Sequence, residues 1–179
     1  MNPTITRIIA SMLAIATVTA GTAWAVSPDV IVYGGVPCGI ASAITAAREG
    51  ANVLLIEPTK HVGGLSTSGI NTAESEHMLK WTIGGFADEF YRRLGKHYED
   101  TKALQTYPHK DKRLDTIYFF ESSVAEKVYR GMLKEAGVEV RYGAGVDAVM
   151  KDGAKITGIT LTDGAKFAAK VFVDASYEG

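Results

Sequence analysis

A single cysteine, Cys38, stands in the whole sequence, so no internal disulfide can staple the fold. Positive charge is not in excess either: 19 lysines and arginines face 20 aspartates and glutamates. A nucleic-acid-binding surface would show as a basic stripe, and the sequence has none. Zinc-type spacing of cysteine and histidine is missing, and no metal is expected. The four histidines, His61, His77, His97 and His109, are scattered through the middle of the chain, where surface or core positions account for at least three. Internal repeats and low-complexity stretches are absent. The longest apolar stretch, Ile8 to Ala20, falls short of the ~20 residues needed to span a bilayer.

What is present begins with an export signal. Arg7 is the only charged residue before Asp29, the apolar stretch follows it, and Ala23 and Ala25 bracket Trp24 in an A-x-A pattern. Residues 1–25 are therefore expected to be a signal peptide, with residues 26–179 exported to the periplasm or beyond. An uncleaved membrane anchor is the alternative, disfavoured by length. Only Thr6-Arg7 precedes the stretch, not a twin arginine, although a protein exported with its cofactor bound would be expected to use that route. With 46% hydrophobic residues, the chain has material for one domain with a core.

Asp29 to Tyr33 is a short β-branched and aromatic run ending at two glycines, which predicts a buried strand. Ile40, Ala43, Ile44 and Ala47 recur at helical spacing from Gly39 to Glu49, and Gly50 caps that helix. Asn52 to Ile56 predicts a second strand. Both strands are apolar at consecutive positions, as in a parallel sheet covered on both faces. Residues 58–73 read as a loop. A helix is expected over 76–94, broken or bent near Gly84-Gly85, then a polar excursion over 97–116. A further helix spans 122–136, with Gly137 as its cap. Strands follow at 138–142, 146–150, 156–161 and 166–169, the last three separated by Asp-Gly turns at 151–154 and 162–165. An apolar strand, 171–173, closes the sequence, and its abrupt end reads as a fragment or a truncated product.

The turn after the first strand is Gly34-Gly35-Val36-Pro37-Cys38-Gly39. A dinucleotide site needs a sharp exit from the strand, a close backbone approach to a pyrophosphate, and a helix start with free N–H groups. Gly34 and Gly39 occupy the first and third glycine positions of G-x-G-x-x-G, but Val36 holds the middle one. A structural glycine turn is an equal reading of this segment alone. Glu57 adds to the case. It ends the second strand at the ~20-residue distance expected for the carboxylate that accepts ribose hydroxyls. It would repel a 2′-phosphate.

After Glu57 come Pro58-Thr-Lys-His-Val and then Gly63-Gly64-Leu65-Ser66-Thr67-Ser68-Gly69. Here the sequence resembles the glutathione-reductase-like FAD proteins, in which an acidic residue, a short spacer and a Gly-Gly pair occur in that order. The resemblance implies that the backbone around Gly63-Gly64, with Pro58, Leu65 and Ser66 beside it, follows the pyrophosphate and ribityl chain. It also implies that the strands within 146–169 are a β-meander crossover, with Val146 near adenine. The terminal Val-Phe-Val-Asp174-Ala175-Ser-Tyr-Glu-Gly would then pass near the cofactor. With Gly-Gly-Val-Pro-Cys-Gly-Ile included, nearly all of the mature chain is similar to a family of bacterial FAD-dependent oxidoreductases, many of them exported. Ser122-Ser123 replaces an expected Pro after Glu121.

The expectation is thus an α/β, Rossmann-like FAD-binding domain, incomplete, from an oxidoreductase that passes hydride from a small organic substrate to flavin. Substrate-side groups would come from a domain outside this sequence, so no catalytic acid or base is assigned. Cys38 is expected to be a small buried side chain beside the turn rather than a reactive thiol. Two rivals stand: an NAD-dependent Rossmann enzyme, which leaves the Gly63-Gly64 loop and the meander unexplained, and a non-catalytic fragment.

Overall fold

A computed structural model describes residues 27–70, 82–98 and 120–178. The expected signal peptide, residues 71–81 and most of the polar excursion lie outside the described residues. Strand β1 (Val30–Tyr33) leads through helix α1 (Pro37–Arg48) to β2 (Val53–Glu57). Helices α2 (Gly85–Tyr98) and α3 (Ser122–Glu135) precede β3 (Glu139–Tyr142). A meander of β4 (Val146–Asp152), β5 (Lys155–Leu161) and β6 (Lys166–Phe167) then returns the chain to β7 (Val171–Asp174).

The main sheet is parallel, in the order β3-β2-β1-β7. Its register sets Tyr33 beside Ile56 and Asp174, and Glu57 beside Tyr142. The carboxyl ends of the strands therefore line one edge, where open α/β sheets bind ligands. The meander is an antiparallel sheet of its own.

Side chains alternate across a strand, so the continuous apolar runs fill two cores. Val32, Val53 and Leu55 pack on Ile40, Ile44, Met132 and Leu133 from α1 and α3. Ile31, Leu54 and Ile56 face the meander through Ile159, Leu161 and Phe167. Covering on both faces, expected from the sequence, is what the structure has. Gly50 and Gly137 follow α1 and α3 with φ of 90° and 72°, as helix-ending glycines do.

Several element ends differ by a residue or two, and four differences bear on how the elements meet. Thr82 to Gly84 are not α-helical, so the expected helix is interrupted just before Gly85; its first part, 76–81, lies outside the described residues, and α2 runs on to Tyr98. Lys151 and Asp152 belong to β4, because cross-strand pairing of Asp152 with Lys155 leaves only Gly153-Ala154 to turn. Strand β6 stops at Phe167, where its pairing with β5 ends. Strand β7 extends to Asp174 beside Tyr33.

Helix α2 is held by aromatics and ions. Phe90 stacks on Tyr129 with centroids 4.1 Å apart and meets Phe120 edge-on at 5.8 Å. Arg48 reaches both oxygens of Glu89 at 2.8 Å, and Arg93 joins Glu89 to Glu135. The Arg48 guanidinium, aided by Arg93, holds the Glu89 carboxyl down at about 2 against the opposing effect of burial. A depressed carboxyl stabilises the fold above its ordinary value of 4.5, and that stability is lost as pH falls towards 2. Because both guanidiniums are partly exposed, the effect should be about 1 kcal/mol. Acid unfolding followed by circular dichroism should show it, and Glu89→Gln should flatten that limb of the curve.

Candidate functional site

A cleft of about 500 Å³ opens at the carboxyl edge of the sheet, lined by Gly34, Val36, Glu57, His61, Leu65 and Tyr177 among others. One wall is the turn between β1 and α1. Val36 precedes α1 and no side chain caps it, Pro37 occupies the first turn, and no acidic residue stands there. The N-terminal N–H groups of the helix and its positive dipole end are thus left for an external anion.

The glycines of this turn have separate reasons. Gly34 has φ of 99°, and a Cβ there would sit 2.9 Å from the Ala175 carbonyl and the Ser176 nitrogen. Gly35 leaves room for a carboxylate, since its Cβ would lie 2.7 Å from Glu57 Oε2.

Glu57 is the buried charge of the site, 6% exposed. Its Oε2 accepts the Gly35 N–H and its Oε1 accepts the Thr59 N–H, both at 2.7 Å. A carboxylate offers about four acceptor positions, so two remain for a diol in the cleft. The opposite wall is the loop after β2. Gly63 N–H donates to the Gly35 carbonyl at 2.7 Å, tying this loop to the first turn, and a tight 3-10 turn follows over Gly64–Thr67.

A family model described as FAD dependent oxidoreductase matches residues 29–179. The chain belongs to the FAD-dependent oxidoreductase family. No curated protein matches it. Solved structures share the fold of this FAD-dependent oxidoreductase family member. The myxobacterial chondrochloren halogenase CndH superposes with a TM-score of 0.53 at 22% identity, over 84% of this chain and 37% of the halogenase. A variant of halogenase PltM in complex with FAD gives 0.53 at 17%, over 86% and 35%. THI4 of Thermovibrio ammonificans gives 0.51 at 17%, over 84% and 57%. The chain spans 37% of the first of these proteins and 57% of the last.

In this family member, the residues singled out from the sequence fall into three groups. Gly34, Val36, Glu57, Pro58, Gly64 and Leu65 line the cleft. Gly35, Gly39, Gly63 and Ala175 are buried, and Pro37 and Ser66 are half-buried. Val146 and Asp174 border a different space, an apolar cavity of about 210 Å³ between sheet and meander that Ile31 and Phe172 also line. Asp174 Oδ1 accepts the Ser176 N–H and hydroxyl.

Cys38 corrects an expectation. It is exposed, not buried, with Sγ 3.8 Å from the Ala175 carbonyl. Ile40, Ala43 and Ile44 set the buried stripe of α1, and that rotation turns Cys38 outward in the first turn.

Sequence reasoning gave Tyr177 no role beyond proximity, yet its hydroxyl accepts the Leu65 N–H at 3.0 Å across 112 residues. It closes the cleft over Gly64. Only its place in the terminal Ala-Ser-Tyr-Glu signalled it. Tyr177→Phe should speed hydrogen exchange at Leu65 about tenfold, read by mass spectrometry, because that amide loses its acceptor. Beneath the loop, Tyr129 is nearly buried, and burial pushes its phenol up against a smaller opposing interaction with Ser66.

Proposed function

We propose that the cleft binds FAD and that the protein oxidises a small organic substrate by hydride transfer. The carrying observation is the buried Glu57 carboxylate at the end of β2, facing the cleft between an uncapped helix start and the Gly63-Gly64 turn. Family membership supports the same reading. Bound FAD would supply the hydride-accepting ring.

The chain's own groups have roles that follow from their chemistry. The spare lone pairs of Glu57 accept the two ribose hydroxyls. The backbone of Gly34 to Gly39, at the start of α1, holds the pyrophosphate. The Gly63 to Ser66 backbone follows the ribityl chain. The Val146 backbone, which borders the neighbouring apolar cavity, would serve adenine, and Asp174-Ala175 would pass near the cofactor. None of these groups moves a proton in the reaction. They bind, orient and exclude water.

Mixing the purified chain with FAD and removing the excess should leave a yellow protein with flavin bands. A colourless product would overturn the assignment. Calorimetry with NADH separates the nicotinamide alternative, for which tight NADH binding without FAD binding is the signature. Anaerobic bleaching of the flavin band by substrate, slowed when its C–H is deuterated, tests hydride transfer in the complete protein. Export completes the proposal. Among the described residues no helix is long and apolar enough to cross a membrane. The A-x-A pattern places a mature N-terminus at Val26, readable by mass spectrometry of the exported chain.

A further inference from the structure

A cofactor joined through a pyrophosphate brings two negative charges into the cleft, yet the ionisable carboxylates lining it, Glu57 and Glu178, are themselves negative. Among the described residues that line it, His61 alone has a side chain able to carry positive charge. Its ring is fixed from outside. Nδ1 lies 2.9 Å from Glu126 Oε2 on α3, and no partner of Nε2 occurs among the described residues.

Glu126 is itself fixed. Its Oε1 accepts from Arg130 Nε and Nη2 at 2.9 and 2.6 Å. Arg130 also donates to the Lys60 carbonyl at 2.7 Å and lies over the Tyr142 ring at 4.6 Å. Burial pushes the Glu126 carboxyl up, but the bonds from His61 and Arg130 outweigh it and hold the group below its ordinary range. The carboxylate therefore stays ionised and favours an Nδ1–H on the imidazole.

An ion pair whose histidine side chain is 73% exposed adds little to stability. What the pair does provide is orientation: one ring nitrogen held, the other left to the cleft. We propose that His61, positioned by Glu126, is the cationic group of the cleft for the phosphates of the bound cofactor, so that retention of the cofactor weakens as the imidazole loses its proton. This rests on the FAD reading above. The titratable groups that line the cleft with His61 are Glu57, Tyr177 and Glu178; Glu126 meets the ring from α3, with Arg130 and, against Arg130, Tyr142 behind it, and Lys60 precedes His61 in the loop. Imidazole is the side-chain type whose charge can change in the physiological range. A dianion prefers the protonated ring. Binding should therefore raise the midpoint of His61, and by reciprocity protonation should tighten binding.

The test is FAD binding to the full chain, followed by quenching of flavin fluorescence at about pH 5.5 and about pH 8. The natural chain should bind about tenfold tighter at the lower pH. His61→Gln should bind weakly at both. His61→Lys should bind tightly at both, which a merely structural histidine would not produce. Glu126→Gln should move the pH step downward. In proton NMR, adding FAD should shift the ring resonances of His61, which a histidine remote from the phosphates would not show. Circular dichroism checks that each variant folds. Equal, pH-independent binding by the natural chain and His61→Gln overturns this inference and leaves FAD binding standing. Absence of binding by every form, His61→Lys included, overturns the FAD reading and this inference with it.

Discussion

Glu57→Gln should lower both FAD affinity, by about 100-fold, and unfolding free energy, by about 1–3 kcal/mol. The substitution keeps the size of the side chain and removes its charge. In the natural chain both oxygens accept backbone N–H groups, from Gly35 and from Thr59. A glutamine must turn its NH2 towards one of them, so one donor in a closed site loses its partner. The same change removes a charged acceptor for the ribose diol. Thermal unfolding without FAD reads the first effect, and calorimetry with FAD reads the second. An unchanged melting temperature would show that the carboxylate does not anchor the two loops. Unchanged affinity would show that the cofactor does not meet it.

Gly39→Ala should leave the chain unable to fold, or cost at least about 3 kcal/mol. A Cβ at this position would overlap the Gly34 carbonyl and lie 3.0 Å from Ala175 Cβ. Neither neighbour is free to retreat. Gly34 is confined by the Ala175 and Ser176 backbone, and Ala175 N–H is bonded to the Tyr33 carbonyl at 2.8 Å. Gly50→Ala is the control, with φ of 90° but open space around the new methyl, and should cost only about 1–2 kcal/mol. Urea unfolding of the pair measures the difference. Similar losses would mean that the strand and helix do not need this close approach.

Much of this was legible because it is local. The consecutive apolar residues of β1 and β2, the glycines after α1 and α3 and the acidic residue closing β2 are short-range signals, and each appears where the sequence puts it. The features that escaped are long-range or rotational. His61 and Glu126 are 65 residues apart, and Arg48 and Glu89 are 41 apart. No periodicity within one segment points to such a partner. Cys38 was misread because a small residue beside a tight turn suggests burial, whereas the buried stripe of α1 decides which way each side chain faces. The first Asp-Gly turn was read too long because pairing of β4 with β5 carries strand geometry up to its last two residues.

Strand β1, the first made, pairs on one side with β7, the last, through Val30 beside Val171 and Tyr33 beside Asp174. Contacts this distant in sequence form late, since a long loop must close before they repay its lost entropy. The backbone of Ala175, which confines Gly34, is therefore not in place until β7 has docked. Until then the glycine turn has no fixed shape, and the nascent chain has no finished cleft. Capture of the cofactor would then follow the docking of β7, and the rate of that docking would set the earliest moment at which colour appears in refolding.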